Sequence, residues 1–248
     1  EVLVQGLSQK GRAAGIRLPI LKLSHAFPEE MEAAVRNQVT LAVCDHENAD
    51  ALEQVCRAVE LHTNVHLKVD TGMGRIGVTP ENAPQLAAYM EQNCPHLHLQ
   101  GIFTHLPVSD DADPSYTRGQ VERVKGVVDA VQAALGRKLE LAHCSNSGAV
   151  LAHPPAWLDL VRPGIMIYGS YPDPATVPTR PLRDVGRWTL RVTFLKRIRA
   201  GETVGYGRTW TAPADTWIAT VAVGYGDGYS RLNSSRAEAP APPEDSWT

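Results

Sequence analysis

Polar side chains with chemical uses collect where short apolar runs give out. The run VHLKV ends at Lys68 and Asp70, LQGIFT ends at His105, LELA ends at His143, and Arg162 lies in VRPG beside another apolar run. These groups can move protons and hold anions. In an extended chain Lys68 and Asp70 share one face, opposite Val65, Leu67 and Val69,. The pair reads either as functional and inward-pointing or as a neutralised Lys/Asp pair at a rim. The loop TGMGRIG follows, with three glycines and Arg75. Its composition lets backbone approach a ligand closely, but it is neither a dinucleotide fingerprint nor a P-loop. In HCSNSGAV, Asn146 and Ser147 precede a short predicted helix. There a hydroxyl and free backbone N–H groups could converge on an anion such as phosphate, or the two residues simply cap the helix. His96 and His98 form an HxH, yet they precede the strand that ends at His105 and so lie away from the strand ends. No metal site is expected there. His62 and His153 have no motif around them.

Such groups need strands to present them. From Leu18 to about Gly169 short apolar runs alternate with amphipathic ones, the pattern of an α/β protein,. Strands are predicted at Ile20–Leu23, Thr40–Val43, Val65–Val69, Leu99–Phe103, Leu139–Ala142 and Val161–Ile167. A helix is predicted from Ser115 to Leu135, where Val121, Val124, Val128, Val131 and Leu135 recur at helical spacing and Gly136 supplies a stop,. Another begins near Asn48, read as its N-cap,. Repetition of βα units fits a parallel sheet or barrel, with reactive groups at the C-terminal ends of strands. Past the connector PDPATVPTRP only strand-like runs remain. The expected division is a barrel over 1–180, the start of a β-rich domain over 185–233, and a Pro- and Ala-rich disordered tail over 234–248,.

The 248 residues, 43% of them apolar, suffice for a sizeable core,. A net charge of -3 offers no basic footprint for nucleic acid or anionic lipid,. No apolar run reaches the roughly 18–20 residues of a membrane span. Cys44, Cys56, Cys94 and Cys144 show neither a CxxC nor a disulfide framework, which fits a reducing cytoplasm,.

HLKVDTGMGRIGV at 66–78 resembles the alanine racemase family, and the likeness continues through FTH at 103–105, HCSNSGAV, VRPGIMIYG, VGYGRTW and VGYGDGY. The resemblance spans residues from about 15 to 233. It implies a partial (β/α)8 TIM-type barrel that carries pyridoxal 5'-phosphate (PLP), followed by the start of a β-rich C-terminal domain. It also implies a homodimer with shared active sites, an amino acid substrate, and conversion of L-alanine to D-alanine for peptidoglycan. Racemisation needs two bases flanking the planar carbon from which the α-proton has left. By resemblance Tyr206 is one base, reaching in from the partner subunit, with His143 beside it. Arg162 faces the PLP ring nitrogen as a permanent donor,. Arg75 contacts the PLP phenolic oxygen and substrate, and Lys68, carbamylated in some members, positions Arg75. An unmodified Lys68 would repel it. His105 lies near PLP, Asn146, Ser147, Gly164 and Ile165 match the phosphate cradle, and Tyr225 matches the substrate passage.

The chain departs from the family pattern in one respect that bears on activity. No segment like VVKANAYGHG, which holds the PLP lysine, occurs in it, and Lys10, Lys22, Lys68, Lys125, Lys138 and Lys196 all have other neighbours. The C-terminal segments that supply a substrate-binding methionine and a phosphate-binding tyrosine are also absent. The expectation is an inactive, poorly stable fragment with open strand edges. A non-catalytic PLP-binding or interaction descendant is the first alternative. A metal-dependent barrel hydrolase, with a carbamylated lysine near two histidines, is the second.

Overall fold

A computed structural model describes residues 10–173, 181–186, 188–234 and 236. These fall into two compact units that divide after Gly186. In the first unit strands and helices alternate: β1 (Ile20–His25), α1 (Pro28–Arg36), β2 (Val39–Val43), α2 (His46–Val59), β3 (Thr63–Lys68), α3 (Ala83–Asn93), β4 (Leu97–Phe103), α4 (Ser115–Leu135), β5 (Leu141–His143) and α5 (Ser147–Ala152). The sheet order is β1-β2-β3-β4-β5, and every neighbouring pair is parallel. Strands added in sequence order without reversal are the winding of a barrel. A doubly wound sheet would reverse direction at a switch point. The unit is therefore a curled, partial (β/α)8 barrel.

The two faces of β3 show why this sheet can carry polar groups. Val65 and Leu67, with Val69 just beyond, are fully buried in the main core with Leu41, Leu52, Leu86, Leu99 and Ile102. His66 and Lys68 alternate with them and are also buried, at 2% exposure each, yet stand outside that apolar cluster. Strand pleat thus sends the aliphatic side chains toward the helices and the titratable ones to the opposite face.

Helix α4 begins and ends where its spacing predicts, and Gly136 closes it in the left-handed region at φ 65. Helix α2 starts earlier than expected. Its cap is Asp45, whose carboxylate accepts from the Asn48 backbone N–H at 2.7 Å, and Asn48 lies inside the first turn. The predicted strand at Val161–Ile167 does not form. Pro163 has no N–H to give a ladder, Arg162 N donates to Ser145 O at 2.9 Å, and Gly164 N donates to Ser147 Oγ at 2.9 Å. The apolar run that reads as a strand ends in a 3-10 turn over Ile165–Tyr168.

The second unit is β-rich. β6 (Val192–Ile198) pairs antiparallel with β9 (Thr216–Val221), and β7 (Thr203–Val204) pairs antiparallel with β8 (Trp210–Thr211). Both GYG segments form 3-10 turns, Tyr206–Arg208 and Tyr225–Asp227. Of the tail expected to be disordered, residues 235 and 237–248 lie outside the described residues. Among those described, no helix is long and apolar enough to cross a membrane.

Candidate active site

The C-terminal ends of β3, β4 and β5 bring Lys68, Phe103, His105, His143 and Arg162 to one region of the first unit. Phe103, part of the FTH motif but given no role by it, is its hub. The His143 ring stacks on it at 4.9 Å with an interplanar angle of 5°, the Lys68 ammonium lies 5.6 Å from its centroid and the Arg162 guanidinium carbon 5.5 Å. Cations over an aromatic face gain from the ring quadrupole, most where water is thin.

Arg162 is held by three groups. Its Nη1 donates to His143 Nδ1, and its Nη2 to Thr104 O at 2.8 Å and Cys144 O at 3.2 Å. The guanidinium carries further N–H groups beyond those taken by these partners. Burial lowers it to about 10, which leaves it charged at neutral pH. His143 is fully buried, and its other nitrogen, Nε2, lies 2.8 Å from His66 Nδ1. Burial, Arg162 and His66 together keep it neutral. His105 is half-buried and lowered to about 4, by burial first and then by the charges of Arg162, Arg75 and Lys68.

Burial also lowers Lys68, to about 8; Asp70 opposes the shift, while Arg75 and Arg162 add to it. Its Nζ donates to Val69 O at 2.8 Å. Asp70 makes no ion pair with it. Its Oδ1 accepts instead from the backbone N–H groups of Gly72, Met73 and Gly74 at 2.9, 2.8 and 3.1 Å. Burial works against the carboxylate, but these bonds hold Asp70 below the usual range. Asp70 thus anchors the glycine loop. The loop folds back on β3, with Val78 N donating to Lys68 O at 3.0 Å and Asp70 N donating to Val78 O at 2.8 Å. Gly77, at φ 115, lies so close that a Cβ would sit 2.8 Å from Lys68 O and 2.9 Å from Lys68 Cγ. Its missing side chain makes room for this chain's own backbone and lysine, and Arg75 is left exposed on the loop.

A pH dependence of stability follows. Above about pH 8 folded Lys68 gives up a proton that the unfolded chain holds up to its ordinary value of 10.5. At this group the unfolded state then binds more protons, so its contribution to stability rises with pH across that window. Four buried thiols, Cys44, Cys56, Cys94 and Cys144, raised by burial to about 11, act in the opposite sense above about pH 9,. The part due to Lys68 is therefore read as a difference: from pH 7.5 to 10.5 the urea midpoint of the native chain should gain on that of the Lys68→Met variant.

Asn146 and Ser147 are both engaged. Asn146 Oδ1 accepts from Ala149 N at 3.1 Å and from Ser109 Oγ at 2.6 Å, and its Nδ2 donates to Leu106 O at 2.9 Å. It is a helix cap tied to the β4 loop. Ser147 Oγ accepts from Gly164 N at 2.9 Å and Met166 N at 3.4 Å, which brings Ser147, Gly164 and the exposed Ile165 together. The HxH histidines each meet a carboxylate: His96 Nδ1 is 2.7 Å from Glu53 Oε1, and His98 Nε2 is 2.7 Å from Glu140 Oε1. Among the described residues no three His, Cys, Asp or Glu side chains are grouped to hold a metal. In the second unit Tyr206 stands between two left-handed glycines, Gly205 at φ 76 and Gly207 at φ 75, and is fully exposed. Tyr225 is exposed on its own turn.

Comparison with known proteins matches two families of sequence to this chain: alanine racemase, N-terminal domain, over residues 8–172, and alanine racemase, C-terminal domain, over residues 185–241. The alanine racemase of Chlorobaculum tepidum is 42% identical over 218 residues, 88% of this chain and 56% of the relative. The crystal structure of alanine racemase from E. faecalis is 34% identical with a TM-score of 0.79, over 93% of this chain and 62% of that one. A histidine racemase from Leuconostoc mesenteroides is 25% identical with a TM-score of 0.73, over 91% and 60%. The chain spans less than two thirds of the length of these relatives. Over that span its order of motifs, its parallel barrel and its β-rich second unit place it plainly: the chain belongs to the alanine racemase family.

Proposed function

We propose that this chain is the cofactor-facing part of a PLP-dependent amino acid racemase that interconverts L- and D-alanine. One observation carries the reading: at the ends of barrel strands the Lys68 ammonium and the Arg162 guanidinium lie 5.6 and 5.5 Å from the Phe103 ring, with Arg75 exposed on the loop that follows Lys68. Such a cationic mouth suits an anionic ligand. The donor set fits PLP in kind, since a buried guanidinium with N–H groups to spare suits a ring nitrogen, and the Ser147 hydroxyl, whose oxygen accepts from Gly164 N and Met166 N and which keeps its own proton to donate, suits a phosphate,. When bound through an amine, PLP supplies the electron sink that acidifies the substrate's α-C–H bond.

The residues divide the remaining tasks. Arg162 donates to the ring nitrogen without being able to surrender its proton there, which limits electron withdrawal. Arg75 receives the phenolic oxygen and the substrate carboxylate, and Ser147, Gly164 and Ile165 hold the phosphate, with Asn146 fixing the helix that carries Ser147. Lys68, buried and lowered to about 8, has enough neutral amine near pH 8 to be carbamylated. The carbamate would turn its repulsion of Arg75 into attraction. Tyr206 of a second subunit takes the α-proton on one face, and Tyr225 lines the passage to it. Both ring nitrogens of His143 are engaged inside the barrel, so it serves Arg162. His105 is the imidazole left for the mouth.

The second base belongs to a lysine that this chain does not contain, and the chain by itself is expected to be inactive. The intact protein would act in the cytoplasm as a homodimer and supply D-alanine for peptidoglycan. Incubation with PLP and L-alanine should yield no D-alanine from this chain and rapid D-alanine from the intact protein. Cofactor trapped by borohydride on a lysine of this chain, with D-alanine formed, would overturn the assignment of inactivity. The likeness to a histidine racemase favours a second reading of the substrate, so serine and histidine belong in the same assay. A preference for either over alanine would replace alanine.

A further inference from the structure

Beneath Arg162 a file of polar side chains crosses the barrel interior and emerges near the opposite ends of the strands. His143 Nδ1 receives Arg162, and His143 Nε2 meets His66 Nδ1 at 2.8 Å. His66 Nε2 lies 3.4 Å from Gln100 Oε1, Gln100 Nε2 donates to Glu140 Oε2 at 2.9 Å, and Glu140 Oε1 meets His98. None of His66, Gln100 or Glu140 belongs to the groups that face the cofactor or substrate.

The two ends of this file dictate the direction of every bond in it. A guanidinium can only donate and an ionised carboxylate can only accept. Arg162 therefore requires a lone pair on His143 Nδ1, which puts the proton on Nε2 and directs it at His66 Nδ1. From the other end, Glu140 takes the Gln100 amide N–H, so the amide oxygen faces His66 Nε2 and the proton must be there. Each end fixes the tautomers independently, and both ends select the same arrangement. Burial lowers His66 and opposes a second proton on it, with Arg162 acting in the same sense.

Two backbone features make the file possible. In the β3–β4 ladder Val65 pairs with Leu99 but His66 pairs with Gly101, so Gln100 is the extra residue of a bulge. Bulges re-aim a side chain, and here the re-aimed side chain links His66 to Glu140. Gly101 is the crossing point. A Cβ there would lie 2.9 Å from both Cε1 and Nε2 of His66 and 2.8 Å from Leu141 O. Without a side chain at 101, the His66 ring on β3 reaches over β4 to His143 on β5.

We propose that His66, Gln100 and Glu140 are positioning residues, forming a polarised hydrogen-bond relay that holds His143 as the acceptor for Arg162. The relay deepens the racemase reading and rests on it only for the group that Arg162 faces. In that reading it keeps the guanidinium seated while its free N–H groups serve the ring nitrogen. A reversed relay would aim an imidazole N–H at a guanidinium N–H.

The tautomers can be read directly by 15N NMR of the histidine-labelled protein, with or without cofactor. Between about pH 7 and 9, above the ordinary imidazole value, His143 and His66 should each show a bare Nδ1 and a protonated Nε2. His66→Leu removes the acceptor for His143 Nε2–H, and the His143 ring signals should move. His66→Asn keeps an acceptor at the Nδ1 position and should restore them. In the intact enzyme kcat should fall about tenfold for His66→Leu, the worth of one hydrogen bond, with KM little changed and most of the loss recovered in His66→Asn. Should His66→Leu fail to fold, Gln100→Leu at the bulge serves, and the His66 Nε2 proton should then exchange faster with solvent. A proton on His143 Nδ1, an imidazolium at neutral pH, or His143 signals indifferent to His66→Leu would overturn the relay. These spectra need no cofactor. The tautomers they report stand even if the protein proves not to be a racemase, and reversed tautomers in an active racemase would sink the relay alone.

Discussion

Tyr206→Phe should lower racemisation by the intact protein about 10²–10⁴-fold, the range for losing a positioned acid–base group. The residue is fully exposed on its turn, and the substitution removes only a hydroxyl, so unfolding curves should be unchanged. Because two enantiomers have equal free energies, kcat/KM must fall by the same factor in both directions. Exchange of the α-hydrogen with solvent obeys no such rule. If Tyr206 serves one face and a lysine the other, the variant should still exchange the α-proton of one enantiomer in deuterated water while the other is nearly inert. Equal loss of exchange for both enantiomers would sink the two-base assignment. An unchanged racemisation rate would remove Tyr206 from the chemistry.

Much of this architecture is visible in the chain because barrel geometry is periodic. Strand alternation separates Val65, Leu67 and Val69 from Lys68, and the rule that reactive groups sit at strand ends leads to Lys68, His105 and His143. The same alternation also applies to His66, two residues before Lys68. A lone buried imidazole, however, has no signature until its partner on another strand is known. Gln100 is hidden more deeply. Its place in the file depends on a bulge, and bulges are set by pairing register between strands, which one strand's sequence does not contain.

Other differences have equally local causes. The run VRPGIMIY has strand composition, but Pro163 and the hydroxyl of Ser147 divert its backbone donors. The glycines of the loop after β3 have the look of a ligand cradle, whereas Gly77 makes room for Lys68 and Gly72 lies against Tyr116. Composition signals that backbone comes close to something, and only the fold says to what. Asp70 shows the same limit. Its spacing from Lys68 suggests an ion pair, but the turn that follows offers three N–H groups at hydrogen-bond distance, and local donors win over a side chain whose amine is turned to Val69 O.

Arg162→Leu should destabilise the fold by about 3–5 kcal/mol, because three neutral acceptors lose a charged donor at about 1–3 kcal/mol each. The arginine contributes through the acceptors it satisfies. Without it the Nδ1 of fully buried His143 and the carbonyls of Thr104 and Cys144 lose their donor. Each buried orphan costs about 1–3 kcal/mol before water or rearrangement repairs it. A loss of that size rivals the whole stability of an ordinary domain, about 5–15 kcal/mol. Arg162→Lys separates charge from geometry. It keeps a cation near Phe103 but cannot place donors on three diverging acceptors at once. Its unfolding midpoint should fall between those of the native and leucine forms, and its ammonium, unlike a guanidinium, can lose a proton inside the barrel. If urea unfolding shows Arg162→Leu within about 1 kcal/mol of native, the buried acceptors are finding water, and Arg162 is held more loosely than its three bonds imply.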